Sequence, residues 1–204
     1  MFTGLTTDIG EVRSVKPQGD LRRIRIACAY PVEGIAIGAS IACSGPCLTA
    51  VAAGQADGRS WFDVDVGAET LGLTHAGTWV PGTRLNLERS LKIGDELGGH
   101  IVTGHIDGLA EILARRDFDG MAHFDLRAPP ALARLIAKKG SVCLDGTSLT
   151  VNAVAGDDFT ILLIPHTLAV TTWGARRAGD QLNLEVDLMA RYAARLAETA
   201  FLCR

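Results

Sequence analysis

The chain has 204 residues, 48% hydrophobic and 21% charged, with a formal net charge of −3. That balance suits one or two globular domains, and it excludes a basic surface for nucleic acid or for an anionic membrane. No run approaches the ~18 consecutive apolar residues of a membrane helix, so neither nucleic acid nor membrane is expected as a partner.

The opening Met1-Phe2-Thr3-Gly4 leads to Asp8 and Glu11, where a secretory signal would need basic residues and then an apolar stretch. A cytoplasmic protein is expected. Residues 21–27, 61–66 and 123–127 alternate apolar and polar with period two, which predicts strands with one face on a core. Residues 159–164 are apolar enough for a strand buried on both faces. Turn signals punctuate the strands: Gln18-Gly19-Asp20, Ala56-Asp57-Gly58, Asp119-Gly120 and Gly156-Asp157-Asp158. Many short strands with glycine turns suggest barrels or sandwiches.

Gly94, Gly98 and Gly99 loosen the chain around residues 91–98 and mark a boundary. Residues 130–140 begin with proline and end with lysines and glycine, the polarity of a helix; residues 31–34 are a weaker counterpart. In the tail, Asp187 is a candidate N-cap, and Leu188, Tyr192, Leu196 and Ala200 form one stripe at spacing four. That helix has no core of its own and is expected to join subunits.

The chain says nearly the same thing twice. Thr3, Gly4, Glu11 and Val12 return one hundred positions later as Thr103, Gly104, Glu111 and Ile112. Ser40, Gly45, Leu48 and Thr49 return as Ser141, Gly146, Leu149 and Thr150, and Leu85-Asn86-Leu87-Glu88 returns as Leu182-Asn183-Leu184-Glu185. A period near 100 exceeds the roughly 20–50 residues of a solenoid unit. It fits two whole small domains made by duplication, here residues 1–97 and 98–186, followed by a C-terminal helix over 187–204.

Candidate chemistry follows from equivalent positions. Cys47-Leu48-Thr49 corresponds to Ser148-Leu149-Thr150. Residues two apart in a strand share a face, so each copy offers a nucleophile or hydroxyl beside a threonine. A buried cysteine and ordinary strand threonines are an equal reading for either copy alone. His105 is a candidate proton shuttle, and its counterpart is Leu5, so the halves differ there. His100 reads as a structural histidine held by backbone carbonyls, His166 as structural or ligand-contacting, and His75 and His123 as surface residues. Glu88 and Glu185 read as structural. Five cysteines without C-x-x-C spacing argue against a disulfide framework or a zinc site. No G-x-G-x-x-G or G-x-x-x-x-G-K appears, so no nucleotide cofactor and no metal is expected.

Together these segments resemble the riboflavin synthase family of the alpha-chain type. The resemblance is carried by Met1-Phe2-Thr3-Gly4, Ser40 to Gly45, Cys47-Leu48-Thr49, Glu69-Thr70-Leu71, Asn86-Leu87-Glu88-Arg89, Gly98-Gly99-His100, Gly104-His105-Ile106-Asp107-Gly108, Lys139-Gly140-Ser141, Ser148-Leu149-Thr150-Val151, Ile164-Pro165-His166-Thr167 and Asn183-Leu184-Glu185. It implies an all-β fold of two similar six-stranded Greek-key barrels plus a C-terminal helix, assembled as a homotrimer. It implies dismutation of two molecules of 6,7-dimethyl-8-ribityllumazine to riboflavin and 5-amino-6-(D-ribitylamino)uracil by transfer of a four-carbon unit, without cofactor or metal. The reaction site would form between the first barrel of one subunit and the second barrel of its neighbour. Association with lumazine synthase is a further partner expectation.

By the same resemblance, Cys47, His105, Ser40, Asp187 and Phe2 are the catalytic set, with Phe2 closing the site. Gly4, Leu5 and Thr6 would line the first pocket. Other substrate contacts would come from Cys47, Leu48 and Thr49; from Asp65, Val66, Gly67, Ala68, Glu69 and Thr70; from Gly104, His105 and Ile106; from Lys139; from Ser148, Leu149 and Thr150; and from Leu162, Leu163, Ile164, Pro165, His166 and Thr167. The chain departs from the family at Thr6, Pro46 and residues 67–69. A non-catalytic lumazine- or flavin-binding protein is the alternative. An oligonucleotide- or sugar-binding barrel ranks below it, since aromatics are only 5% and the charge is negative.

Overall fold

The computed structural model describes the backbone of residues 1–202 and the side chains of residues 1–198. The first half contains β1 (Asp8–Gln18), β2 (Leu21–Cys28), β3 (Ser40–Cys43), β4 (Cys47–Ala56), β5 (Arg59–Val66), the short helix α1 (Ala68–Leu73) and β6 (Arg84–Arg89). The strands close into an antiparallel barrel in the order β1-β2-β5-β4-β3-β6. The β4–β5 hairpin turns on Asp57 (φ 52°) and Gly58 (φ 74°), with Ala56 opposite Arg59. Two central residues with positive φ give the turn whose twist matches the strands, and Asp-Gly is the dipeptide that tolerates it.

The second half repeats the plan with β7 (Gly108–Phe118), β8 (Met121–Arg127), α2 (Pro130–Ala133), β9 (Ser141–Leu144), β10 (Thr147–Thr150), β11 (Ala153–Ala155), β12 (Asp158–Leu163), α3 (Pro165–Val170) and β13 (Gln181–Val186). Here the sheet has seven strands in the order β10-β9-β13-β7-β8-β12-β11. The additional strand comes from a break. β4 carries a bulge between Ala50 and Ala52, and the same stretch of the second copy, around Val151 and Asn152, divides β10 from β11. Bulges bend a strand and loosen its pairing. The sheet therefore curls until its two edges are successive pieces of one chain.

Each copy fills its own core. Val12, Ile24, Ile26, Phe62, Val64 and Leu87 are fully buried in the first, and Ile112, Phe124, Leu126, Ile161, Trp173 and Leu184 in the second. Phe124 and Trp173 meet edge to face at 5.0 Å. β12 buries Phe159, Ile161 and Leu163 but leaves Leu162 38% exposed, so it is a one-sided strand and not the doubly buried one its composition suggests. The expected helix at 130–140 shrinks to the single turn α2. The chain then tightens, with Ile136 N donating to Ala133 O at 3.1 Å, so that buried Ala133 and Ile136 both reach the core. Packing overrides helix propensity there.

A small apolar cluster joins the halves. Phe2 and Val102 pair as an antiparallel bridge, with Phe2 N to Val102 O at 2.8 Å, and pack with Ala42 and Cys143. These are two sets of equivalent residues meeting near an approximate two-fold axis. Two asparagines repeat the symmetry. Asn86 Nδ2 donates to Asp145 O at 2.8 Å, and Asn183 Nδ2 donates to Ser44 O at 2.7 Å. Their oxygens accept from Thr172 N at 2.7 Å and His75 N at 2.9 Å. Buried amides satisfied on both ends are what a specific interface requires. His75, expected at the surface, is thus drawn half-buried into this junction.

The last helix, α4 (Leu188–Leu202), follows β13 directly. Asp187 Oδ1 accepts from Met189 N at 2.8 Å, the cap read from sequence. On its surface Met189 is 73% exposed, Tyr192 61% and Leu196 70%. The expected partner in that stripe, the Ala200 side chain, lies outside the described residues, as does Cys203. No described helix is long and apolar enough to cross a membrane.

Candidate functional site

The segment that leads into each barrel crosses to the other one. Gly4 O accepts from Ser148 N at 2.8 Å, and Gly104 O accepts from Cys47 N at 2.9 Å. Both glycines have positive φ, 76° and 77°. A Cβ on Gly4 would sit 2.6 Å from Ser148 Cβ, and one on Gly104 2.5 Å from Cys47 Cβ. Close backbone approach and left-handed geometry both demand glycine here. The expectation that Gly4 lines the first pocket is therefore corrected, whereas Leu5 does line a hollow of the first barrel with Tyr30, Ser40 and Ile41. Gly4 lies against Ser148 of the second half, while Gly104, His105 and Ile106 serve the first.

A carboxylate clamps each leader. Glu88 accepts from Thr3 N at 2.6 Å, Thr3 Oγ1 at 2.8 Å and Gly4 N at 2.9 Å. Glu185 accepts from Thr103 N at 2.7 Å, Thr103 Oγ1 at 2.6 Å and Gly104 N at 2.8 Å. Burial pushes the Glu88 carboxyl up, and the Thr3 and Gly4 donors oppose that. No strand forms over residues 98–107: clamp and bridge contacts replace a ladder, and only Val102 pairs in β fashion.

At the first barrel a cavity of about 260 Å³ is lined by Pro46, Cys47, Glu69, Thr70, Leu73, Thr74, Gly104, His105 and Ile106. Cys47 is half-buried at the start of β4, while Thr49, Glu69 and His105 are exposed. Glu69 and Thr70 arrive on α1. His105 is held through its backbone, its carbonyl oxygen accepting from Arg191 Nη2 of α4 at 3.2 Å; the same guanidinium bonds Asp107 at 2.8 Å. A thiol, a carboxylate and an imidazole thus share one hollow.

The second barrel holds the counterpart. Ser148 lies under Gly4 and Gly99, and its Oγ is 2.7 Å from His100 Nδ1. Burial pushes the His100 imidazole below its ordinary value, against the pull of Asp187 and Glu185. His100 is the residue that sequence reasoning misassigned: its partner is a side-chain hydroxyl, not backbone carbonyls. The signal was Gly98-Gly99 just before it, which lets the chain come this close. Ile164 caps α3, Pro165 begins it, and His166 stands where Glu69 stands in the first copy. Thr150 and Ile164 are exposed.

Other expected residues fall elsewhere. Phe2 is fully buried between the barrels, so it joins them and does not close a pocket. Ser40 lies opposite Thr49 but lines a separate hollow of about 680 Å³ with Tyr30, Glu88 and Arg89. Leu48, Val66, Leu149 and Leu163 turn inward, since alternate strand residues face the core, and only their backbone is available to a ligand. Asp65 is held on the outer wall by Arg23 at 2.8 and 2.7 Å, and the guanidinium lowers its carboxyl below the usual range. Lys139 is exposed at a left-handed turn (φ 67°). Among the described residues no three His, Cys, Asp or Glu side chains gather as metal ligands.

The chain belongs to the lumazine-binding domain family, whose description, "Lumazine binding domain", matches it twice, over residues 3–90 and 103–187. It is 56% identical to the riboflavin synthase of Brucella abortus, over 97% of this chain and 98% of that one. It is 40% identical to the riboflavin synthase of Mycobacterium bovis, over 98% of this chain and 100% of that one. In fold it is similar to LumP complexed with riboflavin, with a TM-score of 0.78 at 23% identity over 91% of this chain and 99% of that one.

Proposed function

We propose that the protein is a transferase that makes riboflavin from two molecules of 6,7-dimethyl-8-ribityllumazine. The observation that carries this reading is the matched pair of sites on one chain of this family: Cys47 under Gly104 in one barrel, Ser148 under Gly4 in the other. Each site would hold one lumazine. The C7 methyl of such a ring is acidic because its anion delocalises into the heterocycle, so a weak base suffices, and His105 is that base. The partner ring accepts a nucleophile at C7, supplied by the Cys47 thiol, the Ser40 hydroxyl or water. A four-carbon unit then passes from one ring to the other, leaving 5-amino-6-(D-ribitylamino)uracil. Holding two rings face to face supplies part of the rate by proximity alone.

In this reading the two half-sites meet between neighbouring subunits of a homotrimer. The apolar surface of α4, with Met189, Tyr192 and Leu196 exposed, supports association of chains. Asp187 takes a second role beside its cap, through its charge near His100. A cytoplasmic location and association with lumazine synthase belong to the same reading. A carrier that binds lumazine without converting it is the second reading; the His105 and Cys47 pairing in one cavity favours the enzyme.

His105→Ala should lower turnover by about 10²–10⁴-fold, the usual worth of a positioned base. Cys47→Ser should lower it less, and both variants should still bind lumazine, as followed by its fluorescence. Turnover at the parent rate in both would remove their assigned roles.

A further inference from the structure

The two clamping carboxylates have duties that cross the molecule. Glu185 lies near the end of β13 of the second barrel, yet the segment it grips, Thr103-Gly104, presses on Cys47 of the first. Glu88 lies near the end of β6 of the first barrel, yet it grips Thr3-Gly4, which presses on Ser148 of the second. Both side chains are buried, Glu88 at 5% exposure and Glu185 at 1%. Each carboxylate takes three donors from two consecutive residues. That fixes the peptide planes of the leader, and so fixes the glycine carbonyl that meets the cavity-lining strand. A packing role alone would need no such concentration of hydrogen bonds on one turn.

We infer that Glu185 is the positioning residue of the Cys47 site, setting Gly104 and His105 against the thiol, and that Glu88 does the same for the Ser148 site. The consequence is selectivity. Loosening Glu185 disturbs the first barrel's site from a residue in the second barrel, and loosening Glu88 does the converse. Only the turnover arm of the test rests on the riboflavin synthase reading.

The test uses the full-length protein in its native assembly. Among the described cysteines Cys47 is half-buried, while Cys28, Cys43 and Cys143 are buried. Its alkylation by iodoacetamide, followed by mass spectrometry of its peptide without ligand, reports how tightly Gly104 covers it. Glu185→Gln should raise the Cys47 rate by roughly tenfold, because an amide keeps one acceptor oxygen of two and loses the charge. Glu88→Gln should leave that rate at the parent value. Turnover of the lumazine by Glu185→Gln should fall by about 10–100-fold in kcat with a smaller change in KM, as expected when placement and not binding is lost. Should Glu185→Gln fail to fold, Thr103→Val removes one donor, and a rise of about threefold is then expected. An unchanged Cys47 rate in the folded variant, or an equal rise in Glu88→Gln, overturns the assignment. Parent protein that forms no riboflavin overturns the enzymatic reading instead, and the alkylation arm still decides this one.

Discussion

Gly104→Ala should cut riboflavin formation by about 100-fold or more while the barrels stay folded. The loss has two sources. At φ 77° an alanine is strained, by about 1 kcal/mol. The larger effect is steric: the added Cβ would lie 2.5 Å from Cys47 Cβ and 2.7 Å from Cys47 N. Backbone cannot yield as a flexible side chain does, so the leader must lift away. The bond from Cys47 N to Gly104 O, 2.9 Å, goes with it, and His105, the next residue, shifts too. Displacement of a catalytic group by ~1 Å is worth about 100-fold in rate. Circular dichroism and initial rates check this together; a folded variant at the parent rate would show that the Gly104 contact does not matter to the site.

Phe2→Ala should destabilise the protein by about 3–5 kcal/mol, the range for truncating a fully buried phenylalanine. Phe2 is 0% exposed and packs against Ala42, Val102 and Cys143. Its neighbours come from both barrels, so the space it leaves lies on the joint. The backbone bridge to Val102 remains, but the side-chain filling is lost. Thermal unfolding should move down by roughly 6–20 °C for a chain of this size. A shift under about 2 °C would mean the joint is held by Asn86 and Asn183 instead.

Much of this was legible in the residues. The duplication is plain because Leu-Asn-Leu-Glu and the Thr-Gly leaders repeat verbatim. Alternation at 21–27 and 61–66 marked β2 and β5, and Asp57-Gly58 marked the turn of the β4–β5 hairpin. Cys47 and His105 were named before their shared cavity was visible. What stayed hidden has a common cause. Contacts such as Gly4 with Ser148 join an irregular leader to a strand 144 positions away, and no periodicity encodes them. Gly4 was therefore placed at the wrong barrel. The same ignorance hid the hydroxyl beside His100. Leu162 and the residues after Ala133 were misjudged because local composition was read without the neighbours that decide which face is buried.

The most direct measurement mixes the purified protein with 6,7-dimethyl-8-ribityllumazine alone and follows the absorbance of riboflavin. The account predicts that riboflavin appears with one half molar equivalent formed per lumazine consumed, since two rings are used for each product. Tight uptake of the lumazine with no flavin formed would contradict it and leave a binding protein.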